Sequence, residues 1–403
     1  MQFSFPLILD AATGTELIKK GYDGSISSEQ WTLMHPEAIQ DIQRSYIEAG
    51  SKVVYTPTFG ANRVKMGNYG EQNNVTEYNL KLAALSREVA ENKAYVAGDL
   101  APTSLSVPPM GDSSFTEIYE TYLEQASALE KAGVDLFVIE TISSVADARA
   151  AILAVKSVSK KPVMVSFTCD KNGRTFTGAD VAAACVTLQS MGADIFGLNC
   201  SYGPEDMVPQ LKRLSGYSRL PLLAKPNAGI PETVDGKTVY DCSPDEFVRF
   251  IPEMLEAGVK VFGGCCGTDA AHIKALSEAL KDVRLAETTA SDNEEYLSTE
   301  RHVFSLNSVS VPERFIPCGE DLEDDAADFD EDEMIGIDLD DDPDLEELES
   351  SQWSFSSPVC FTSSDAAILE SALRIFQGRA AYTGQLSTES LDPLVRKYGL
   401  IVL

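Results

Sequence analysis

Short β-branched runs, each followed by an amphipathic stretch of roughly 15 to 25 residues, recur through the first part of this 403-residue chain and restrict its fold more than any other feature. The runs lie at 7–10, 53–56, 95–99, 136–140, 163–168, 195–199, 220–225 and 259–262. Between them sit helical patterns. Over 115–131, for example, Ile118, Tyr122, Leu123, Ala126 and Leu129 recur at helical spacing, and Gly133 supplies a stop. Eight βα units in about 285 residues match a (β/α)8 barrel in number and length. A doubly wound sheet is the competing architecture, but it calls for a Gly-rich phosphate loop after an early strand. Neither GxGxxG nor a Walker motif is present.

Polar residues stand at the carboxyl ends of the runs: Asp10, Thr56, Thr58, Asp99, Glu140, Thr168, Asn199, Cys200, Asn227, Cys265 and Cys266. A barrel gathers those ends on one face, around one cavity. Cys200 follows the sixth run in GLNCSYGP, and Cys265 with Cys266 follow the eighth in VFGGCCGTDAAH. Adjacent residues of an extended strand point to opposite sides, so two neighbouring cysteines share one ion only where the chain turns. Gly263, Gly264 and Gly267 allow that turn. Three thiolates suit zinc and leave a fourth position for substrate, the layout of a catalytic site. A lone cysteine at a strand end is more often packing than ligand, and a vicinal disulfide is a further option. Cys169 reads as a packed residue near the same face, and His272 as either an orienting partner for a ligand or a packed side chain.

The chain carries a net charge of −31, which argues against nucleic-acid and anionic-membrane partners, since both need clustered Lys and Arg. Residues 320–349 hold 18 of the acidic side chains and no Lys or Arg, leaving −13 for the other 373 residues. Such a block reads as a solvated linker, disordered over 320–349. The expected organisation is a barrel over 1–285, a polar and acidic linker over 286–353, and a short βαβ-like fragment over 354–403. The apolar runs fall far short of the roughly 20 residues that span a bilayer, and the N-terminus lacks a basic, signal-like start, so a cytoplasmic location is expected.

The motifs LDAATGTEL, TPTFGAN, LAPT, VIETI, GLNCSYGPEDM, KPNAGIP and GGCCGT, in this order, resemble the homocysteine S-methyltransferase family. The likeness is strongest to the homocysteine-binding first module of cobalamin-dependent methionine synthase, and it covers about residues 5–283. The resemblance implies zinc held by Cys200, Cys265 and Cys266, with the homocysteine sulfur as fourth ligand. It implies that Asp10 and Glu140 hold the substrate ammonium, and that the turn of Ala12, Thr13, Gly14 and Thr15 receives its carboxylate. Asn199 and Asn227 match polar positions lining the pocket. A salt bridge to a barrel Lys or Arg is the alternative use of Glu140. Where the family usually has Asp-Gly, this chain has Asp10-Ala11, which would weaken substrate binding if the position needs a positive φ.

Methylcobalamin is the implied methyl donor. The chain lacks the His-containing loop of cobalamin modules, so the donor would arrive on a separate corrinoid protein, itself served by a separate folate-binding methyltransferase. The tail resembles part of a pterin-binding barrel, too small a piece to bind folate alone. S-methylmethionine and betaine are the donors of other members; betaine asks for an aromatic cage, and the barrel has one Trp, Trp31. A non-catalytic zinc- or thiol-binding regulator is the reading from a different class.

Overall fold

Eight parallel strands follow one another around a single sheet: β1 (Leu7–Ile8), β2 (Val53–Tyr55), β3 (Tyr95–Leu100), β4 (Leu136–Ile142), β5 (Val163–Phe167), β6 (Ile195–Asn199), β7 (Leu222–Lys225) and β8 (Val259–Phe262). The last strand pairs with the first, Leu7 opposite Val261. Between β1 and β2 the Lys52 N–H donates to the Ile8 carbonyl at 2.7 Å. The fold is therefore a (β/α)8 barrel. This computed structural model describes residues 3–234, 237–285, 294–330 and 332–403. Among them, no helix is long and apolar enough to cross a membrane.

Strand alternation sorts the apolar side chains into two cores. Leu9, Val53, Tyr55, Leu136, Val138, Met164, Ile195, Leu223 and Val261 fill the barrel interior, with Phe3 and Phe5 packed against them. Their neighbours, among them Ile8, Val54, Val96, Phe137 and Ile139, face the surrounding helices. A strand buried on both faces reads as a continuous apolar run, which is why the eight runs stand out. The helix Phe115–Ala132 begins with a reciprocal Ser114–Glu117 capping box and ends on Gly133 at φ 75°; such a start stabilises by about 1 kcal/mol.

The helix Val145–Val158 buries a carboxyl group in this outer core. Asp147 accepts from the Thr103 hydroxyl at 2.9 Å, and burial pushes its pKa up to about 6. The native state therefore holds a proton that the unfolded chain has lost between about pH 4 and 6, so stability falls as pH rises through that window. Asp147→Asn removes the slope. Denaturant midpoints are expected to show the variant gaining on the parent by on the order of 2 kcal/mol from pH 4 to pH 7.

The acidic segment, expected as a disordered linker over 320–349, is folded. It carries the helix Leu322–Ala326, a strand (Ile335–Asp338) and the helix Leu345–Ser351. Residues 286–293, where the expected linker begins, and Glu331 lie outside the described residues. The strand belongs to a five-stranded parallel sheet in the order β9 (Ile316–Pro317), β10 (Ile335–Asp338), β11 (Val359–Thr362), β12 (Ala381–Tyr382) and β13 (Ile401–Val402). The expected 354–403 fragment thus supplies three strands of a larger unit. The charge count misled because it ignores spacing: Leu322, Ile337, Leu339 and Leu348 are fully buried, while most of the carboxylates between them face water. Helices cover one face of this sheet. The other packs Met334, Cys360 and Ala381 against Leu297, Phe304, Leu306 and Val309, the first two from a hairpin of Tyr296–Ser298 and Val303–Ser305.

This unit is docked on the barrel. Arg149, fully buried on the helix Val145–Val158, donates from Nη1 to the Gly378 carbonyl at 3.0 Å and from Nη2 to that of Leu373 at 2.5 Å. The Phe115 N–H donates to Glu349 at 2.7 Å, and the Asp180 N–H to the Glu300 carbonyl at 3.0 Å.

Candidate active site

Each cysteine of the expected cluster sits where its strand gives way to a turn. Cys200 leaves β6 at φ 62° and Ser201 follows at φ 61°, two non-glycine residues in the left-handed region. Such strain costs on the order of 1–3 kcal/mol per residue and persists where neighbours fix the backbone. Here the Cys200 N–H donates to the Lys225 carbonyl at 3.1 Å, and the Tyr202 N–H to the Cys200 carbonyl at 2.8 Å. Beyond β8 the Cys265 N–H donates to the Pro226 carbonyl, and the Cys266 carbonyl accepts from Ala228. Gly264 has no room for a side chain, since a Cβ would lie 2.3 Å from the Thr268 hydroxyl. Gly267, at φ 81°, lies beneath the Tyr240 ring and turns the chain away.

These turns bring the three sulfur atoms within 4.8 Å of one another, and Cys200 Sγ lies 4.0 Å from Cys266 Sγ. A tetrahedral site with Zn–S bonds of about 2.3 Å places sulfurs about 3.8 Å apart, so the donor set fits zinc in chemistry and in spacing. All eight cysteines are free, and Cys169 stands outside the group. Close packing sets the thiols against each other: hydrogen bonds with Cys265 and Cys266 push Cys200 up, while those from Cys200 and Cys265 hold Cys266 down, to about 3.

The sulfurs form one end of a cavity of about 280 Å³. Ala12, Thr13, Gly14 and Thr15 line it too, as do Tyr55, Glu140 and Lys225. Lys225, at the end of β7, lies 3.0 Å from Asp10 Oδ1, 3.7 Å from Glu140 Oε2 and 4.1 Å from the centre of the Tyr55 ring. Burial alone would lower Lys225, but Asp10 and Glu140 hold it well above its ordinary value. Burial pushes Glu140 up to about 7 against the pull of Lys225, and raises Asp99 well above the carboxylate range, with Glu140 adding to the effect. Lys225 is thus one cation shared between two carboxyl groups, Asp10 at 3.0 Å and Glu140 at 3.7 Å. A second ammonium beside Glu140 would favour its charged form.

A family model described as homocysteine S-methyltransferase matches residues 7–280. The chain belongs to the homocysteine S-methyltransferase family. It is 30% identical over 305 residues to methionine synthase of Mycobacterium tuberculosis, covering 71% of this chain and 25% of that protein. The Mycobacterium leprae methionine synthase is 29% identical over 320 residues, covering 74% and 26%. The chain thus spans about a quarter of the length of these curated relatives. Among solved structures, the metallated form of the Escherichia coli homocysteine methyltransferase MmuM superposes with a TM-score of 0.57 at 23% identity, covering 68% of this chain and 95% of that one. That likeness concerns the fold.

Within this homocysteine S-methyltransferase barrel the expected site residues divide. Cys200, Cys265, Cys266, Ala12, Thr13, Gly14, Thr15 and Glu140 line the cavity. Asp10, Asn199 and Asn227 are buried and do not line it. Asp10 accepts the Tyr55 N–H at 2.8 Å and faces Lys225, so the salt bridge weighed for Glu140 falls more closely on Asp10. Asn199 accepts the Thr141 N–H at 2.9 Å and directs its amide toward Cys265 Sγ at 3.8 Å. His272 binds Asp269 at 2.8 Å and the Cys242 carbonyl at 3.1 Å, fixing the helix start rather than a sulfur. Lys225, Tyr55 and Thr141 escaped the sequence reading. Lys225 carried the available signal, a polar residue at a strand's carboxyl end.

Ala11 is buried and does not adopt a positive φ, so no glycine is needed there. Ala11→Gly is expected to cost about 0.5–1 kcal/mol of stability and leave the substrate KM unchanged. A several-fold lower KM would show that Ala11 constrains substrate binding.

Proposed function

We propose that this chain methylates the homocysteine thiol to give methionine, with zinc on Cys200, Cys265 and Cys266 and with methylcobalamin on a separate corrinoid protein as the donor. The observation that carries this reading is one cavity with three clustered sulfurs at one end and an excess carboxylate beside Lys225. Zinc bound there would supply the positive charge that keeps a substrate thiol deprotonated at neutral pH, where a free thiol is only a few per cent thiolate. Glu140, whose Oε2 has no hydrogen-bond partner among the described residues, takes the substrate ammonium. The backbone N–H groups of Ala12, Thr13, Gly14 and Thr15 take its carboxylate. Lys225 holds Asp10 and Glu140 in place, and Asn199 orients Cys265. The substrate sulfur attacks the methyl carbon, a C–S bond forms as the donor–methyl bond breaks, and the electron pair leaves with the donor. The thiol proton goes to solvent.

One observation favours a carrier protein over a small donor. Phe176, Met110, Ile230 and Phe59 lie on loops after β5, β3, β7 and β2, and are 89, 55, 50 and 41% exposed, an apolar rim on the cavity's side of the barrel. The second sheet, in turn, fills its uncovered face with Leu297, Phe304 and Leu306, which favours a separate folate-binding methyltransferase. The test supplies zinc-loaded protein and homocysteine with methylcobalamin, S-methylmethionine or betaine in parallel. Methionine from methylcobalamin alone supports the reading. Methionine from another donor moves the donor assignment, and none from all three favours a zinc- or thiol-binding regulator.

A further inference from the structure

Where the barrel helices meet the second sheet, a cleft of about 420 Å³ opens, sharing no residue with the cavity of the cysteines. Its barrel wall is apolar: Ile152, Leu153 and Met191 are all buried. Its rim is cationic. Lys156 lies 3.4 Å from Asp194, Lys397 lies 2.7 Å from Glu370, and Arg396 lies 4.0 Å from Asp392. Arg374 rests over the Tyr119 ring, 4.3 Å from its centre, and among the described residues no carboxylate lies within 4.0 Å of it.

A fifth cation lies behind the wall. Arg149 Nη1 is 3.1 Å from the Met191 sulfur, and its other contacts are the Gly378 and Leu373 carbonyls. Its Nε has no partner, and no carboxylate among the described residues is within 4.0 Å. Burial lowers its pKa to about 10, which leaves it charged at neutral pH. Carbonyl dipoles ease a buried guanidinium but do not neutralise it. Four cations line the cleft and carboxylates pair three of them within 4.0 Å; Arg374, which also feels Glu370, and Arg149 behind the wall are the two left without an ion pair at that distance among the described residues.

We propose that this cleft binds a dianionic organic phosphate of nucleoside monophosphate size across the junction of barrel and second sheet. A phosphate monoester carries about −1.5 to −2 at pH 7, matching the two cations left without an ion pair, and guanidinium forks suit its oxygens. The volume lies within the range of roughly 300–1,000 Å³ usual for small-ligand sites. The buried side chains of Ile152, Leu153 and Tyr398 line the cleft beside these cations. Because the walls come from both units, the ligand fastens one to the other and stabilises the folded chain.

The test uses the full chain, with calorimetric titration and thermal unfolding against AMP, UMP, adenosine and inorganic phosphate. AMP or UMP is expected to bind and raise Tm, with affinity falling as salt increases, while adenosine does neither and phosphate binds more weakly. Arg374→Ala is expected to weaken nucleotide binding about 10- to 100-fold. Arg396→Glu, on a side chain 75% exposed, is expected to do the same without changing the unliganded Tm. Failure of both nucleotides to bind at about 1 mM overturns the proposal. So do equal binding of adenosine and AMP, and unchanged affinity in Arg396→Glu.

Discussion

Cys200→Ala protein is expected to lose tightly held zinc and, with it, methyl transfer to homocysteine. The three sulfurs come from two strand ends, Cys200 alone after β6 and the Cys265–Cys266 pair after β8, so no two of them duplicate the geometry of the third. Cysteine-rich zinc sites bind with about 10–16 kcal/mol, or roughly 3–5 kcal/mol per ligand, which sets the expected affinity loss at 10²–10³-fold or more. Activity should fall at least as far, since the thiol then reacts only through its small thiolate fraction. Zinc measured after dialysis against a chelator, beside single-turnover methionine formation, checks both. A variant that keeps one zinc and full activity removes Cys200 from the site. The barrel should stay folded, because Cys200 is held by its backbone hydrogen bonds and its side chain belongs to the cavity wall.

Lys225→Met is expected to have the largest effect on stability. The ammonium is buried, and its removal leaves Asp10 and Glu140 without the charge that offsets their burial. Breaking such a buried pair from one side costs about 3–5 kcal/mol. The sign with pH follows from the carboxylates. Without Lys225 their folded pKa values rise further, the native state binds more protons than the unfolded chain, and the loss deepens as pH rises above the ordinary carboxylate range. Denaturant unfolding at pH 6 and pH 8 should show the larger deficit at pH 8. Asp10→Asn in the same background should restore on the order of half of it. A deficit independent of pH would mean that Lys225 acts through packing on Tyr55 instead.

The barrel and the cysteine cluster were legible in the chain because both depend on local signals. Strands buried on both faces must be apolar throughout, helices announce themselves through caps such as Ser114 and Gly133, and the two cysteines among glycines mark a turn. Lys225 was not legible in the same way. Its role depends on β7 standing across from Asp10 and Glu140, which lie 215 and 85 residues away in sequence, and strand-end position alone does not say which charge faces which. Asp10, Asn199 and Asn227 stand at or just beyond strand ends, as expected, but they are buried and do not line the cavity.

The acidic segment marks the boundary most sharply. Its composition, 18 carboxylates in 30 residues, truly fixes a repulsive, strongly solvated stretch, but composition carries no geometry. Leu322, Ile337, Leu339 and Leu348 are placed so that two short helices and the strand between them turn them all inward, and only packing within the second unit gives them somewhere to go. Arg149 obeys the same logic: on its own helix it reads as a surface cation, and only the docked unit, with the Leu373 and Gly378 carbonyls above it, makes it a buried one. The sequence by itself determined the barrel, the face on which its strand ends gather and the three cysteines, because local periodicity and turn chemistry set them. The tertiary structure alone decided which charges meet and which apolar residues find a partner surface, because burial is a property of what packs against a residue and not of the residue.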